Sequence, residues 1–194
     1  WDILSGDVKL SDNILIYDEA GDHTGMQSAE FAIKEGATVE FMTPDRLISS
    51  EIMGMNLTPY LKNLQNKKIT YSIAKRLLDV SIKGNKLNAV IGSDYDENFK
   101  YNSSYDQVFL NYGIKPLDDL YFSLVPYSKN KGEIDYNKFI NGEEQDIIKS
   151  DNNKFNLFRI GDAVSSRNIH AAIYDALRLV INLWKVNFLS ILKK

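Results

Sequence analysis

The sequence has no cysteine among its 194 residues. Disulfides, thiolate nucleophiles, iron–sulfur clusters and Cys-ligated zinc are therefore excluded within the chain. Histidine is nearly absent too: with only His23 and His170, a multi-histidine metal site is not expected. No apolar run reaches the roughly 18–20 residues that span a bilayer, and no basic-then-apolar leader opens the chain. An excess of positive charge is also missing. The net charge of −3 gives no electrostatic case for nucleic acid or an anionic membrane surface as partner. There is no internal repeat and no low-complexity tract. The chain starts at Trp1 rather than Met, the start expected of a piece cut from a longer polypeptide or of a chain freed from a tag.

What is present is an ordinary globular composition, 44% apolar and 25% charged, in a chain long enough for a sizeable core. NILIYD (13–18) reads as a short apolar strand. A helix is expected over 24–35, with Thr24 as N-cap and Gly36 at its C-terminus. ATVEFMT (37–43) alternates as a second strand. A helix over 57–66, with Thr58-Pro59 near its start, leads to a third strand, KKITYSI (67–73). The rhythm then changes. Segments 74–83 and 86–94 flank Gly84-Asn85 and predict an antiparallel hairpin, followed by a strand at 100–106 and a buried one at 107–113. Polar, turn-rich residues 114–150 read as a return segment. A strand at 155–160 and a helix from about 167, capped by Ser165 or Ser166, follow. The helix carries an apolar stripe at Ile169, Ala172, Ile173, Ala176, Leu177, Val180 and Trp184. The expected fold class is α/β: a Rossmann-like three-layer domain, β-α-β-α-β plus an antiparallel meander, with a partial flavin-type lobe at the C-terminus. Its divisions are a crossover at 1–11, an NAD(P)-binding-like domain at 12–113, the return segment at 114–150 and the flavin-type strand and helix at 151–194.

Two places carry candidate chemistry. The first is DEAGDHTG (18–25), at the carboxyl end of the first strand, where parallel α/β sheets bind ligands. A dinucleotide loop needs G-x-G-x-x-G so that backbone N–H groups can approach the diphosphate. Here only Gly21 and Gly25 are present, and Asp18, Glu19 and Asp22 put carboxylates where phosphates would lie. At about 5 Å each like-charge contact costs roughly 1 kcal/mol in water, and more where solvent is excluded. The turn is either a Rossmann-like unit without nucleotide or an altered binding site. Asp45, after the second strand, stands where a ribose-binding acid belongs, and equally suits a turn cap; Arg46 beside it is a weak 2′-phosphate signal. The second place is IGDA, where Gly161 allows close backbone approach, Asp162 can accept from ribityl hydroxyls, and Ala163 leads toward a helix N-terminus. The plain alternative is a turn with Asp162 as cap. His170 reads as a packing residue, His23 as a turn residue without a partner, and Arg167 and Asn168 as residues able to touch a ligand or a neighbouring domain. The tail VINLWKVNFLSILKK (180–194) predicts an apolar face at Val180, Trp184, Phe188, Ile191 and Leu192, to be covered by another domain or a second copy of the chain.

YDEAGDHTGMQSAEF, TVEFMTPDR, PLDDLYF, NKGEID and RIGDAVSSRNIHAAIYDALRL occur in this order and cover nearly the whole chain. The set resembles the C-terminal region of the family containing trimethylamine dehydrogenase, dimethylglycine and N-methylproline demethylases and 2,4-dienoyl-CoA reductase, and most of all its N-methyl amine demethylase branch. The resemblance implies a cytoplasmic oxidoreductase that begins with a TIM barrel carrying FMN and a four-iron four-sulfur cluster. The nicotinamide-like domain of that family is inserted within a flavin-like one. A chain cut near its WDILSG would keep the inserted domain and the end of the flavin-like one. The missing barrel and flavin-like half would then be its partners, and an electron-transferring flavoprotein a further one. Gly161 and Asp162 match the family motif facing ADP or FAD. The turn from Gly21 to Gly25 departs from the nicotinamide fingerprint. The expectation is therefore a structural or ADP- or dinucleotide-binding part of an amine demethylase, with no redox chemistry on these residues. The rivals are an active NAD(P)H domain of an enoyl-CoA reductase-like enzyme and a module that dimerises through the apolar tail.

Overall fold

A computed structural model describes residues 2–191, with side chains for 2–180. The chain divides into two units, 1–113 and 114–194. The first unit opens with a short helix α1 (Asp2–Ser5) and continues as β1 (Asn13–Asp18), α2 (His23–Lys34), β2 (Thr38–Met42), α3 (Gly54–Leu64), β3 (Ile69–Ser72), β4 (Arg76–Lys83), β5 (Lys86–Gly92), β6 (Tyr101–Tyr105) and β7 (Gln107–Asn111). Four strands form a parallel sheet in the order β3-β2-β1-β7, and β4-β5-β6 form an antiparallel sheet.

Alternation along the central strand explains the layers. Ile14 and Ile16 face α2 and α3 through Met26, Ala29, Ala32 and Leu64. Leu15 and Tyr17 face the antiparallel sheet through Leu77, Ala89, Ile91 and Tyr105. β1 is thus buried on both sides, which is why it reads as an unbroken apolar run. Two carboxylates tie the sheets together. Glu40 accepts from Tyr105 Oη and Ser72 Oγ, both at 2.6 Å, and Glu19 meets Arg76 at 2.7 Å. Gly84, at φ 64°, turns the hairpin in two residues as expected.

Three details of this unit differ from expectation. Asp22, not Thr24, caps α2: its carboxylate accepts from Thr24 N at 2.9 Å. α3 begins a turn early, at Gly54, and holds Pro59 inside. Asn56 and Leu57 N–H groups bond Met53 O before the proline, so the ring removes only a bond to Met55 O. β7 is the half-buried edge of its sheet rather than a buried strand, with Leu110 and Tyr112 exposed.

The second unit holds α4 (Asp119–Leu124), α5 (Tyr136–Asn141) and α6 (Ile169–Ile191), with 3₁₀ turns at Val125–Tyr127 and Gly161–Ala163. The expected strand at 155–160 is not one: a single bridge, Ser128 to Phe155, forms there. The ladder needs a neighbouring strand, and Asn130 supplies a substitute. This buried side chain donates to Leu157 O at 2.8 Å and accepts from Leu157 N at 2.9 Å. α6 starts at Ile169, capped by Asn168 rather than a serine, through Ala171 N at 2.9 Å. Its expected apolar stripe is largely uncovered: Ile169 (77% exposed), Ile173 and Leu177 face solvent, and His170 is exposed too instead of packed. The buried positions among the unit's described side chains are Ser128, Asn130, Gly161 and Asp175, none of them apolar. The rest of the predicted tail face, at Trp184, Phe188, Ile191 and Leu192, lies outside the described side chains.

Candidate functional site

The turn after β1 brings together Asp18, Gly21, Asp22 and Gly25, as the sequence motif required, and adds a residue the sequence reading missed. Parallel pairing sets Asn111, the last residue of β7, opposite Asp18. Its carbonyl accepts from Glu19 N (2.9 Å) and Ala20 N (3.2 Å). Its side-chain amide donates to Asp18 Oδ1 at 2.8 Å and Asp22 Oδ1 at 3.1 Å. The only signal in the sequence was a polar residue ending the apolar run QVFLN, and its meaning depends on a strand order that crosses most of the domain.

Four backbone donors of the turn are therefore already engaged. Glu19 and Ala20 N–H groups bond Asn111, Gly21 N bonds Asp18 Oδ1 at 3.2 Å, and Thr24 N bonds Asp22. The positive end of α2 carries the chain's own anion. Gly25 keeps the role of a packing glycine: a Cβ there would lie 2.9 Å from Asp18 Cγ. At Gly21, φ is 65° and an added Cβ would meet Ser50 Oγ at 2.8 Å, so the β2–α3 loop closes over the turn; Glu51 N bonds Gly21 O at 3.1 Å. Asp45 is exposed and tied to the same loop, Ser50 Oγ standing 3.4 Å from Oδ2. Arg46 is exposed beside it. His23 has a partner after all, Tyr60 Oη at 3.1 Å from Nδ1.

Electrostatics separate the three carboxylates of the turn. Glu19 points away toward Arg76 and the Tyr17 hydroxyl (2.7 Å each). Burial, then this hydrogen bond to Glu19, hold the Tyr17 phenol well above its ordinary range. Asp22 is half-buried and hydrogen-bonded. Asp18 is fully buried, one oxygen has no partner, and burial pushes its pKa up to about 6.

In the second unit, Gly161 adopts φ 57° and packs on Ala172, which an added Cβ would approach to 3.1 Å. Its N–H donates to Asp175 Oδ2 at 3.1 Å, and Arg167 pairs with the same carboxylate. Asp162 is exposed, with only Arg167 N at 3.5 Å, and Ala163 closes the 3₁₀ turn. The helix expected from about 167 begins at Ile169. A cavity of about 550 Å3 is lined by Tyr121, Phe139, Phe158, Ile160, Arg159 and Asp175 among others. Arg159 stacks on Tyr121 and Phe122 and pairs with Asp118.

No family model matches the chain. It is 52% identical over 180 residues, 93% of its length, to a probable N-methylproline demethylase of Rhizobium meliloti (strain 1021), covering 26% of that protein. It is 34% identical to the N,N-dimethylglycine/sarcosine dehydrogenase of Chromohalobacter salexigens, over 92% of the chain and 26% of the relative. Among solved structures, 6-hydroxypseudooxynicotine amine oxidase from Pseudomonas geniculata N1 superposes with a TM-score of 0.62 at 19% identity, over 91% of this chain and 23% of that one. Thioredoxin reductase from Lactococcus lactis superposes at 0.56 with 14% identity, over 91% and 53%. These likenesses, with the parallel sheet and its antiparallel companion, establish a Rossmann-like oxidoreductase fold. Over nearly all of its length, the chain is a homologue of a segment of the N-methylproline demethylase and dimethylglycine/sarcosine dehydrogenase family, and it spans about a quarter of the length of those relatives.

Proposed function

We propose that this chain is the nucleotide-binding-like portion of a cytoplasmic N-methyl amine demethylase or dehydrogenase, and that its first unit is a scaffold closed to dinucleotide. The observation that carries this reading is the engagement of the turn's amides by Asp18, Asp22 and the Asn111 carbonyl. A diphosphate would have to displace two carboxylates and break four backbone hydrogen bonds to reach the same donors. In this reading FMN and a four-iron four-sulfur cluster, held by other parts of the full-length polypeptide, supply the redox chemistry. A chain without cysteine holds no such cluster. The exposed carboxylate of Asp162, on the tight turn made by Gly161 and Ala163, is the group that would accept from the ribose or ribityl hydroxyls of ADP or FAD. The barrel and the flavin-like half are the partners that would cover the apolar surface of the second unit, and an electron-transferring flavoprotein is the acceptor.

Calorimetric titration of the chain with NADH and NADPH tests the central claim. No saturable heat is expected at millimolar ligand. Micromolar binding that weakens in Asp45→Ala would instead establish the rival, an active NAD(P)H domain.

A further inference from the structure

The antiparallel sheet has the order β4-β5-β6, and its longest strand, β4, is an edge: among the described residues no strand pairs with its outer side. A two-residue turn bonds the residues that flank it, so Lys83 and Lys86 are a hydrogen-bonded pair. Alternation down the ladder then commits the backbone groups of Ser81 and Asp79 to β5 as well, opposite Asn88 and Val90. Those of Val80 and Ile82 point to the open edge. The side chains alternate too. Val80 packs on the cluster of Leu77, Ala89, Ile91 and Tyr105, and Ile82, on the same face, is 83% exposed. Asp79, Ser81 and Lys83 are exposed on the other face, and neither charge has a hydrogen-bond or ion-pair partner among the described residues. An uncovered edge strand with a bare isoleucine is a template for another strand. We infer that β4 is a self-pairing edge: two copies of this chain join by antiparallel β4–β4 pairing about a two-fold axis at Ser81.

Both faces of the strand select this register. Outward-pointing backbone groups meet only when even-numbered residues stand opposite even-numbered residues. Centring on Ser81 sets Val80 opposite Ile82 of the second copy. That pair exchanges two backbone hydrogen bonds, and its symmetry mate two more. On the inner face the exposed flank of Ile82 meets Val80. On the outer face Asp79 stands opposite Lys83 of the second copy, twice over, in the positions where side chains of facing strands lie closest. Centring on Val80 or Ile82 instead sets Asp79 opposite Ser81 or Asn85 and loses both charge pairs. The interface is isologous, one patch serving as its own complement, and it closes at two copies. A β-bulge between Leu77 and Asp79 ends the ladder on one side, and the turn at Gly84 ends it on the other. The short ladder from Asp79 to Lys83 is too small a contact for a permanent interface, so the dimer is weak and concentration-dependent.

The test uses the full chain, in sedimentation equilibrium from micromolar to millimolar concentration. The parent chain is expected to pass from monomer to dimer. Asp79→Lys and Lys83→Asp each turn two attractive contacts into two repulsive ones, and each should weaken the dimer at least about tenfold. An equimolar mixture of these two variants should regain the dimer, because every altered charge then faces its opposite. Ile82→Pro removes an N–H that points away from β5, so it should abolish the dimer and leave the hairpin paired. A parent chain that stays monomeric at millimolar concentration overturns the proposal. So does a dimer that Asp79→Lys, Lys83→Asp and Ile82→Pro all leave intact, which would place the contact elsewhere, as on α6. Should a variant fail to fold, amide hydrogen exchange of the parent decides. Protection of Val80 and Ile82 that rises as the dimer forms supports the pairing, and protection that stays the same overturns it.

Discussion

Asp18 ionises near 6 in the folded chain against 3.8 when free. A raised carboxyl pKa favours the folded state in acid: its contribution is complete below the free value and is lost as pH rises through the folded value. About two pK units correspond to at most about 3 kcal/mol. Urea unfolding of the parent chain and Asp18→Asn should therefore diverge across this window, the variant gaining relative to the parent as pH rises from 4 to 8. A difference that does not change with pH would refute the assignment. Gly25 gives a second test of the same contact. Because a methyl there would stand 2.9 Å from Asp18 Cγ and 3.0 Å from Oδ2, Gly25→Ala should cost about 1–3 kcal/mol, as overpacking of a tight site does. Unchanged urea midpoints in Gly25→Ala would contradict the packing described. At this scale the sequence showed which residues would gather but not what they bond. Asp18, Gly21, Asp22 and Gly25 are neighbours along the chain, whereas Asn111 joins them only through the pairing of β7 with β1. For that reason the crowding of carboxylates was legible as repulsion toward phosphate, and the engagement of four of the turn's donors was not.

Elements whose partners lie nearby in sequence were read well. β1 follows from its apolar run, β2 from alternation, α2 from its spacing and Gly36, though with Asp22 rather than the expected Thr24 as its cap, and the hairpin follows from Gly84-Asn85. Segment 155–160 shows the opposite case. Its composition suits a strand, but strand structure belongs to the ladder rather than to the residues, and here the ladder is one bridge at Phe155 continued by one side chain. Asn130→Ala would strip Leu157 of both its backbone partners and Glu133 O of a third bond. Each buried group left unpaired costs about 1–3 kcal/mol. Native-state hydrogen exchange should then show the Leu157 amide losing its protection while the amides of β1 keep theirs. Equal protection at Leu157 in parent and variant would show that something other than Asn130 holds the segment. The helical stripe of α6 teaches a related lesson. Periodicity correctly predicted a helix, but among its described side chains the buried one is Asp175, fixed by Gly161 N and Arg167.

For the molecule as a whole, apolar burial is divided very unevenly. The fully enclosed side chains of the first unit include Tyr17, Phe41, Ile14, Leu15 and Met26, whereas the second unit's described buried positions are polar or glycine, and Leu117 is 95% exposed. Hydrophobic burial is the main force opposing chain entropy, so the two units should differ in resistance to opening. Limited proteolysis should cut within 114–180 well before it cuts β1 to β7, leaving a resistant piece close to the first unit. Cleavage at similar rates in both units would refute this. The bond pattern around Asn130 adds a constraint of parity. Lys129 N reaches Phe155 O, and Asn130 reaches both backbone groups of Leu157, so odd-numbered positions of this extended stretch are taken. Successive residues of an extended chain turn their amides to opposite sides. Asn130 thus pins Leu157 from one side of the chain, and Asn156 and Phe158, one residue to either side of it, turn their backbone groups the other way.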